Sequence, residues 1–248
     1  MRIIAGVLLL LCFGEVLYFV RGDVADYAAF KLLTETADRQ RRYRVWILKS
    51  LLLFSGISLV GLALLGRLHA LAILPDEFSP LFERLQSNGT LSNQIHSGFL
   101  VGFGGAVLGA LIAGALASRF MVKKRKPVAI GDIEALMPRN WAETLHTGLL
   151  SLNAGLSEEL FFRLLLPLLL TILLGNAIAA FAVAALIFGA IHLYQGTIGV
   201  VATAVLGALF TLLYLWTGSI WIAVGAHATL DLIGLVVRPS IARIFASS

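Results

Sequence analysis

Charge is what this 248-residue chain has least of. Only 13% of its residues are Asp, Glu, Lys or Arg, while 59% are hydrophobic and the mean hydropathy is +0.92. A water-soluble domain carries about a quarter of its residues charged, so the composition excludes an ordinary soluble enzyme and implies a polytopic membrane protein. There is a single cysteine, Cys12, which excludes an internal disulfide framework. A long basic tract is also lacking: the lysines and arginines behind the net charge of +5 flank apolar runs, which argues against nucleic acid as a partner. No His-Glu-x-x-His helix marks a zinc hydrolase, and no internal repeat marks a transporter built from two related halves.

What is there is a succession of apolar runs. The first, 3–20, follows Arg2, has no small-x-small cleavage site, and places Leu11 directly before Cys12; it reads as a retained span rather than a signal peptide. Glu15 inside it is expected to snorkel or to sit against a neighbouring helix. Residues 21–45 form a polar, helix-compatible connector whose Arg39, Arg41, Arg42 and Arg44 belong on the cytoplasmic side. A second span at 46–65 leads to an outer loop, 67–97, with Pro75, Pro80, Asn88 and Gly89, and a glycine-rich third span at 98–121 ends on Lys123-Lys124-Arg125-Lys126. These divide the chain into an N-terminal membrane region (1–126), a linker (127–140), a catalytic core (141–237) and a tail (238–248).

A continuous helix over 141–174 would be about 50 Å long, too long for a hydrocarbon core of about 30 Å. A break is therefore expected at Asn153-Ala154-Gly155, with 141–152 along the interface and a span running from Ser157 to Gly175. Spans at 176–193, 197–216 and 219–237 complete seven crossings of an all-α transmembrane helix bundle. They leave Arg238 and Arg243 on the cytoplasmic side; an eighth crossing by 141–152 would invert that tail and ranks second.

Within this core the formal charges are few. After Glu143 come Glu158, Glu159 and Arg163, and the next is Asp231; His192 and His227 are the other proton-binding or metal-binding groups between 157 and 237. Ionisable residues inside a membrane are functional candidates by default. The alternation of spans brings Glu158, Glu159, His192, His227 and Asp231 to one depth, toward the cytoplasmic side. Glu159 and Arg163, four apart, share a helix face and pair, whereas Glu158 points about 100° away and is left as the unpaired acid. Taken alone, Ser157 and the two glutamates are equally an N-cap with first-turn acids. His227 and Asp231 again share one face. His69, His96 and His146 lie in loop or interfacial segments, where solvated or snorkelling roles are expected.

Glu-Glu-x-x-x-Arg, Phe-x-x-x-His and His-x-x-x-Asp, in that order over 141–237, resemble the three motifs of the CPBP family, the CAAX prenyl protease 2 and bacteriocin-processing intramembrane proteases. The resemblance implies an all-helical intramembrane endopeptidase in which Glu158 and His192 activate the attacking water, His227 and Asp231 lie near the oxyanion, and Glu159 and Arg163 support the site. Where many relatives carry asparagine, Asp231 would repel an oxyanion if ionised, so it is expected to orient His227 or to carry a proton. The mechanism is either of the glutamate type, without a cofactor, or dependent on Zn2+ or another divalent ion held by Glu158, His192 and His227. The implied substrate is a membrane-associated protein or peptide, including one lipidated at its C-terminus. The competing class is a non-catalytic transporter, scaffold or immunity protein that keeps the same bundle.

Overall fold

The computed structural model describes residues 1–87 and 131–246. The expected third span, residues 88–97 of the outer loop with His96, and the basic stretch 123–126 lie outside them. Among the described residues the regular structure is entirely helical. Its elements are α1 (Arg2–Lys31), α2 (Thr36–Ser50), α3 (Ile57–Leu64), α4 (Ser79–Ser87), α5 (Trp141–Glu159), α6 (Leu166–Leu174), α7 (Ala177–Ile191), α8 (Gly196–Thr217), α9 (Ile220–Leu232) and α10 (Arg238–Ala246). Three π-helical segments, Leu51–Gly56, Leu160–Leu165 and Ile233–Val237, join α2 to α3, α5 to α6 and α9 to α10 without interruption.

Among the described residues, four helical runs are long and apolar enough to cross a membrane: Arg2–Lys31, Thr36–Leu64, Leu193–Thr217 and Ile220–Ile244. The apolar α7 is shorter, and the run through α6 carries Glu158, Glu159 and Arg163. The helix that carries the glutamates, α5, is apolar on its exposed face and polar on its buried one. On α5, Trp141, Leu145, Leu149 and Leu152 are exposed while Glu143, Thr147, Ser151 and Ser157 are buried. That pattern is the reverse of a soluble helix and suits hydrocarbon, where backbone and polar side chains must find partners inside the protein.

The break expected at Asn153-Ala154-Gly155 is not there: the chain is helical from 141 to 174. Asn153 and Gly155 are contact residues instead. Asn153 donates from Nδ2 to Ser50 Oγ (2.5 Å) and the Ile47 carbonyl (3.3 Å), spending its amide on α2 rather than on its own backbone. Gly155 lets α9 come close; a Cβ there would stand 2.7 Å from the Ala228 nitrogen. The irregularity falls later, in the π turn Leu160–Leu165, immediately ahead of Pro167. Proline lacks an N–H and its ring presses on the carbonyl four residues back, and a widened turn accommodates both. Asn140 caps the start of α5 by accepting from the Glu143 N–H at 2.9 Å, and Gly175 ends α6 in the left-handed region (φ 68°).

The polar connector is also folded more tightly than expected. α1 continues to Lys31 and α2 begins at Thr36, leaving a short turn. Arg39, one of the basic cluster assigned to the cytoplasmic side, is completely buried: its Nε lies 3.0 Å from Glu143 Oε2, and its Nη2 donates to Tyr43 Oη and to the carbonyls of Ala135 and Met137. Tyr43 Oη donates to the Leu136 carbonyl, Asn140 donates to Thr36 Oγ1, and Lys31 pairs with Asp132. Residues 31–43 are thereby bound to the segment 132–143 that leads into α5.

Candidate active site

The two glutamates sit on the last turn of α5, at the edge of the π turn, and the histidines come to them on other helices. Glu158 Oε2 stands 4.0 Å from His192 Nε2 and 3.9 Å from His227 Nε2. His227 Nε2 is also 3.7 Å from Asp231 Oδ2. The structure therefore brings together Glu158, Glu159, His192, His227 and Asp231, with Arg163 beneath them. His69 and His146 stay apart; His146 Nε2 is 3.4 Å from Arg44 Nη1 and its Nδ1 meets the Ala142 carbonyl.

The first histidine is set by its own helix. His192 caps the C-terminal end of α7, and its Nδ1 lies 2.8 Å from the Phe188 carbonyl. A carbonyl only accepts, so Nδ1 carries the hydrogen, and in the neutral ring Nε2 presents a lone pair toward Glu158. Phe188 works in a second way: the Arg163 guanidinium lies over its ring, 4.1 Å from the centroid. Gly207 makes room for this stack, because a Cβ there would meet Phe188 Cδ1 at 2.9 Å and Arg163 Nη2 at 3.4 Å.

Glu159 has more to do than pair with Arg163. Its Oε1 is 3.1 Å from Arg163 Nη1 and accepts from His227 Nδ1 at 2.7 Å. Both glutamate and arginine are almost fully inaccessible. The carboxylate thus fixes the ring of His227 and turns its Nε2 toward Glu158, the same arrangement by which buried histidines in metal and hydrolase sites are oriented. Asp231 does not take this part, since it stands on the Nε2 side. Phe210 of α8 stacks on the imidazole, with centroids 4.9 Å apart and planes 16° from parallel, and leaves it little freedom to turn. Sequence reasoning singled out neither Phe210 nor the tie from Glu159 to His227; no spacing rule connects residues 68 positions apart.

Glu158 Oε2 is buried and has no hydrogen-bond partner among the described residues. An orphaned carboxylate oxygen with two imidazole nitrogens about 4 Å away has the spacing of groups that share one water molecule, each about 2.8 Å from it. Ligands of a tetrahedral zinc with bonds near 2.1 Å stand closer, about 3.4 Å apart. Among the described residues no group of three or more His, Cys, Asp or Glu converges on a metal position. The donor set fits a metal poorly in this arrangement.

The chemistry this assembly can perform is general acid–base catalysis on a water held between Glu158 and His192, beside a second histidine fixed by a buried carboxylate. Arg163 balances one of three acidic residues, and the rings of Phe188 and Phe210 lie against the site's histidines.

No curated protein and no solved structure matches the chain. A family model does: residues 140–233 match the one described as type II CAAX prenyl endopeptidase Rce1-like. The match contains all three motifs and begins at the Asn140 cap of α5. Over residues 140–233 the chain is thus similar to the CPBP/CAAX protease family, in keeping with helices long and apolar enough to cross a membrane.

Proposed function

We propose that the protein is an intramembrane endopeptidase that hydrolyses a peptide bond of a membrane-associated or lipidated protein by means of a water activated by Glu158 and His192. The observation that carries this is the convergence of Glu158, from α5, with the Nε2 atoms of His192 and His227, from α7 and α9, at 4.0 and 3.9 Å. Residues that serve only to cap a helix or to satisfy the core have no reason to meet across three helices.

Peptide hydrolysis needs a base for water, a donor for the developing oxyanion and an acid for the leaving amine. Glu158 takes the proton as the water oxygen bonds to the carbonyl carbon, with the His192 Nε2 lone pair steering the water's second hydrogen. The carbonyl π electrons move onto oxygen, to which His227 donates from Nε2 as an imidazolium, its Nδ1–H being held by Glu159. When the carbon–nitrogen bond breaks, the proton held by Glu158 passes to the amine. Glu159 and Arg163 keep His227 and the π turn in place without touching substrate. On this reading no step passes through a metal, and the basic residues of the connector and tail favour a cytoplasm-facing site in a seven-span bundle.

The deciding experiment is Glu158→Gln and His192→Ala in a cleavage assay on purified protein with a farnesylated Cys-aliphatic-aliphatic-X peptide. Loss of turnover in both, with the fold retained, is the expected result. Wild-type turnover in both would leave the site to a transporter, scaffold or immunity protein.

A further inference from the structure

The site as described is rich in acceptors and poor in donors. Glu158, Glu159 and Asp231 are acids, an ionised carboxylate only accepts, and all three stand around the one ring of His227. An oxyanion formed here needs a donor besides His227.

Tyr194 answers that need. It belongs to the 3-10 turn Leu193–Gln195 that follows His192 directly, is half-buried, and has its ring 5.9 Å from that of His192, tilted by 32°. On its other side the ring meets Tyr27 of α1 edge-on at 5.1 Å. Its hydroxyl lies within electrostatic reach of both Glu158 and Asp231, and of Asp23 on α1. Gln195 Nε2 donates to the phenolic oxygen at 3.0 Å, so the oxygen's acceptor capacity is engaged. Among the described residues no acceptor lies within hydrogen-bonding distance of its O–H. An incoming hydrogen bond of this kind polarises the hydroxyl and strengthens what it donates.

From this geometry we infer that Tyr194 is a further catalytic residue, its hydroxyl donating a hydrogen bond to the scissile carbonyl oxygen as negative charge builds there. The role rests on the protease function proposed above. The hydroxyl keeps its proton throughout, and no bond to it is made or broken. A purely structural Tyr194, packed with Tyr27 and Leu136, would need only its ring.

Tyr194→Phe separates the two, because it removes the oxygen alone. Wild type, Glu158→Gln, Tyr194→Phe and, as a control with another buried phenol, Tyr27→Phe are compared in detergent on the farnesylated peptide, with thermal unfolding of each. Tyr194→Phe should lower kcat by about 10²-fold with little change in KM, the pattern of an interaction made in the transition state, and should unfold at the wild-type temperature. Tyr194→Phe turnover close to wild type, with Glu158→Gln inactive, overturns the role of Tyr194 and leaves the protease standing. Equal turnover in wild type and Glu158→Gln overturns the protease itself, and the role of Tyr194 with it. If Tyr194→Phe does not fold, 3-fluorotyrosine at 194 keeps ring and hydroxyl while making the phenol more acidic. The alkaline limb of the pH–rate profile must then move to lower pH, and an unmoved limb overturns the role.

Discussion

His227 is held between two adjacent glutamates of one helix: its Nδ1 donates to Glu159 Oε1 at 2.7 Å, and its Nε2 faces Glu158 Oε2 at 3.9 Å. Neighbouring residues on a helix point about 100° apart, so a single ring can meet both only at the edge of the π turn where their carboxylates come round the same imidazole. The arrangement gives the two acids unlike duties.

Glu158→Gln should abolish turnover, by about 10²-fold or more for loss of a general base, and leave thermal unfolding in detergent unchanged. Glu159→Gln should do the opposite in emphasis. It leaves the buried Arg163 without its counter-charge and His227 with only a neutral amide oxygen to accept from it, and should destabilise by about 3–5 kcal/mol. If both variants unfold at the wild-type temperature, Glu159 is not structural.

Asp231→Asn should fold normally and retain turnover within about tenfold of wild type or above it, a difference of no more than about 1.4 kcal/mol in barrier. His227 is oriented by Glu159, and an amide at 231 adds a donor where a carboxylate had none. Steady-state kinetics of the variant beside wild type measures this. A collapse of kcat would show that the carboxylate itself is needed.

Gly155→Ala should impair stability and turnover together. The new Cβ would stand 2.7 Å from the Ala228 nitrogen, next to His227, and must push α5 and α9 apart; overpacking of this kind costs about 1–3 kcal/mol. Thermal unfolding and kcat are read on the same preparation. Full retention of both would contradict the close approach of the two helices.

Arg39→Met should destabilise by about 3–5 kcal/mol, because Glu143 then stays buried without its partner. The double change Arg39→Met, Glu143→Leu should recover much of the loss, since paired buried charges are replaced rather than orphaned. The active site lies at the far end of α5, and kcat of the folded fraction should be close to wild type.

Exhaustive chelation followed by desalting should leave turnover of the pure enzyme intact, since the donors around Glu158 stand wider than zinc ligands. Loss of activity restored by stoichiometric Zn2+ would reverse this.

Much of the site was legible in the residues. Charged and histidine side chains are so costly in hydrocarbon that the few present, Glu158, Glu159, Arg163, His192, His227 and Asp231, select themselves. The i,i+4 pairing of Glu159 with Arg163 follows from helix geometry and is present at 3.1 Å. Not legible were the parts that depend on packing between helices. Asn153-Ala154-Gly155 reads locally as a helix breaker, yet its amide bonds to α2 and its glycine admits α9, so tertiary contacts override local propensity. Arg39 reads only as one of a cytoplasmic basic cluster, and its burial against Glu143, more than a hundred positions away, is not visible along the chain.

By itself, then, the sequence determined the helical membrane character and which ionisable residues were candidates for a site, because both follow from the energetics of single side chains and helix periodicity in an apolar medium. Only the tertiary structure decided which nitrogen of each histidine faces Glu158, that Glu159 rather than Asp231 orients His227, and that Tyr194 and Phe210 border the site. Those are distances between helices, set by how close Gly155 and Gly207 allow their neighbours to come. No pattern along one chain encodes them.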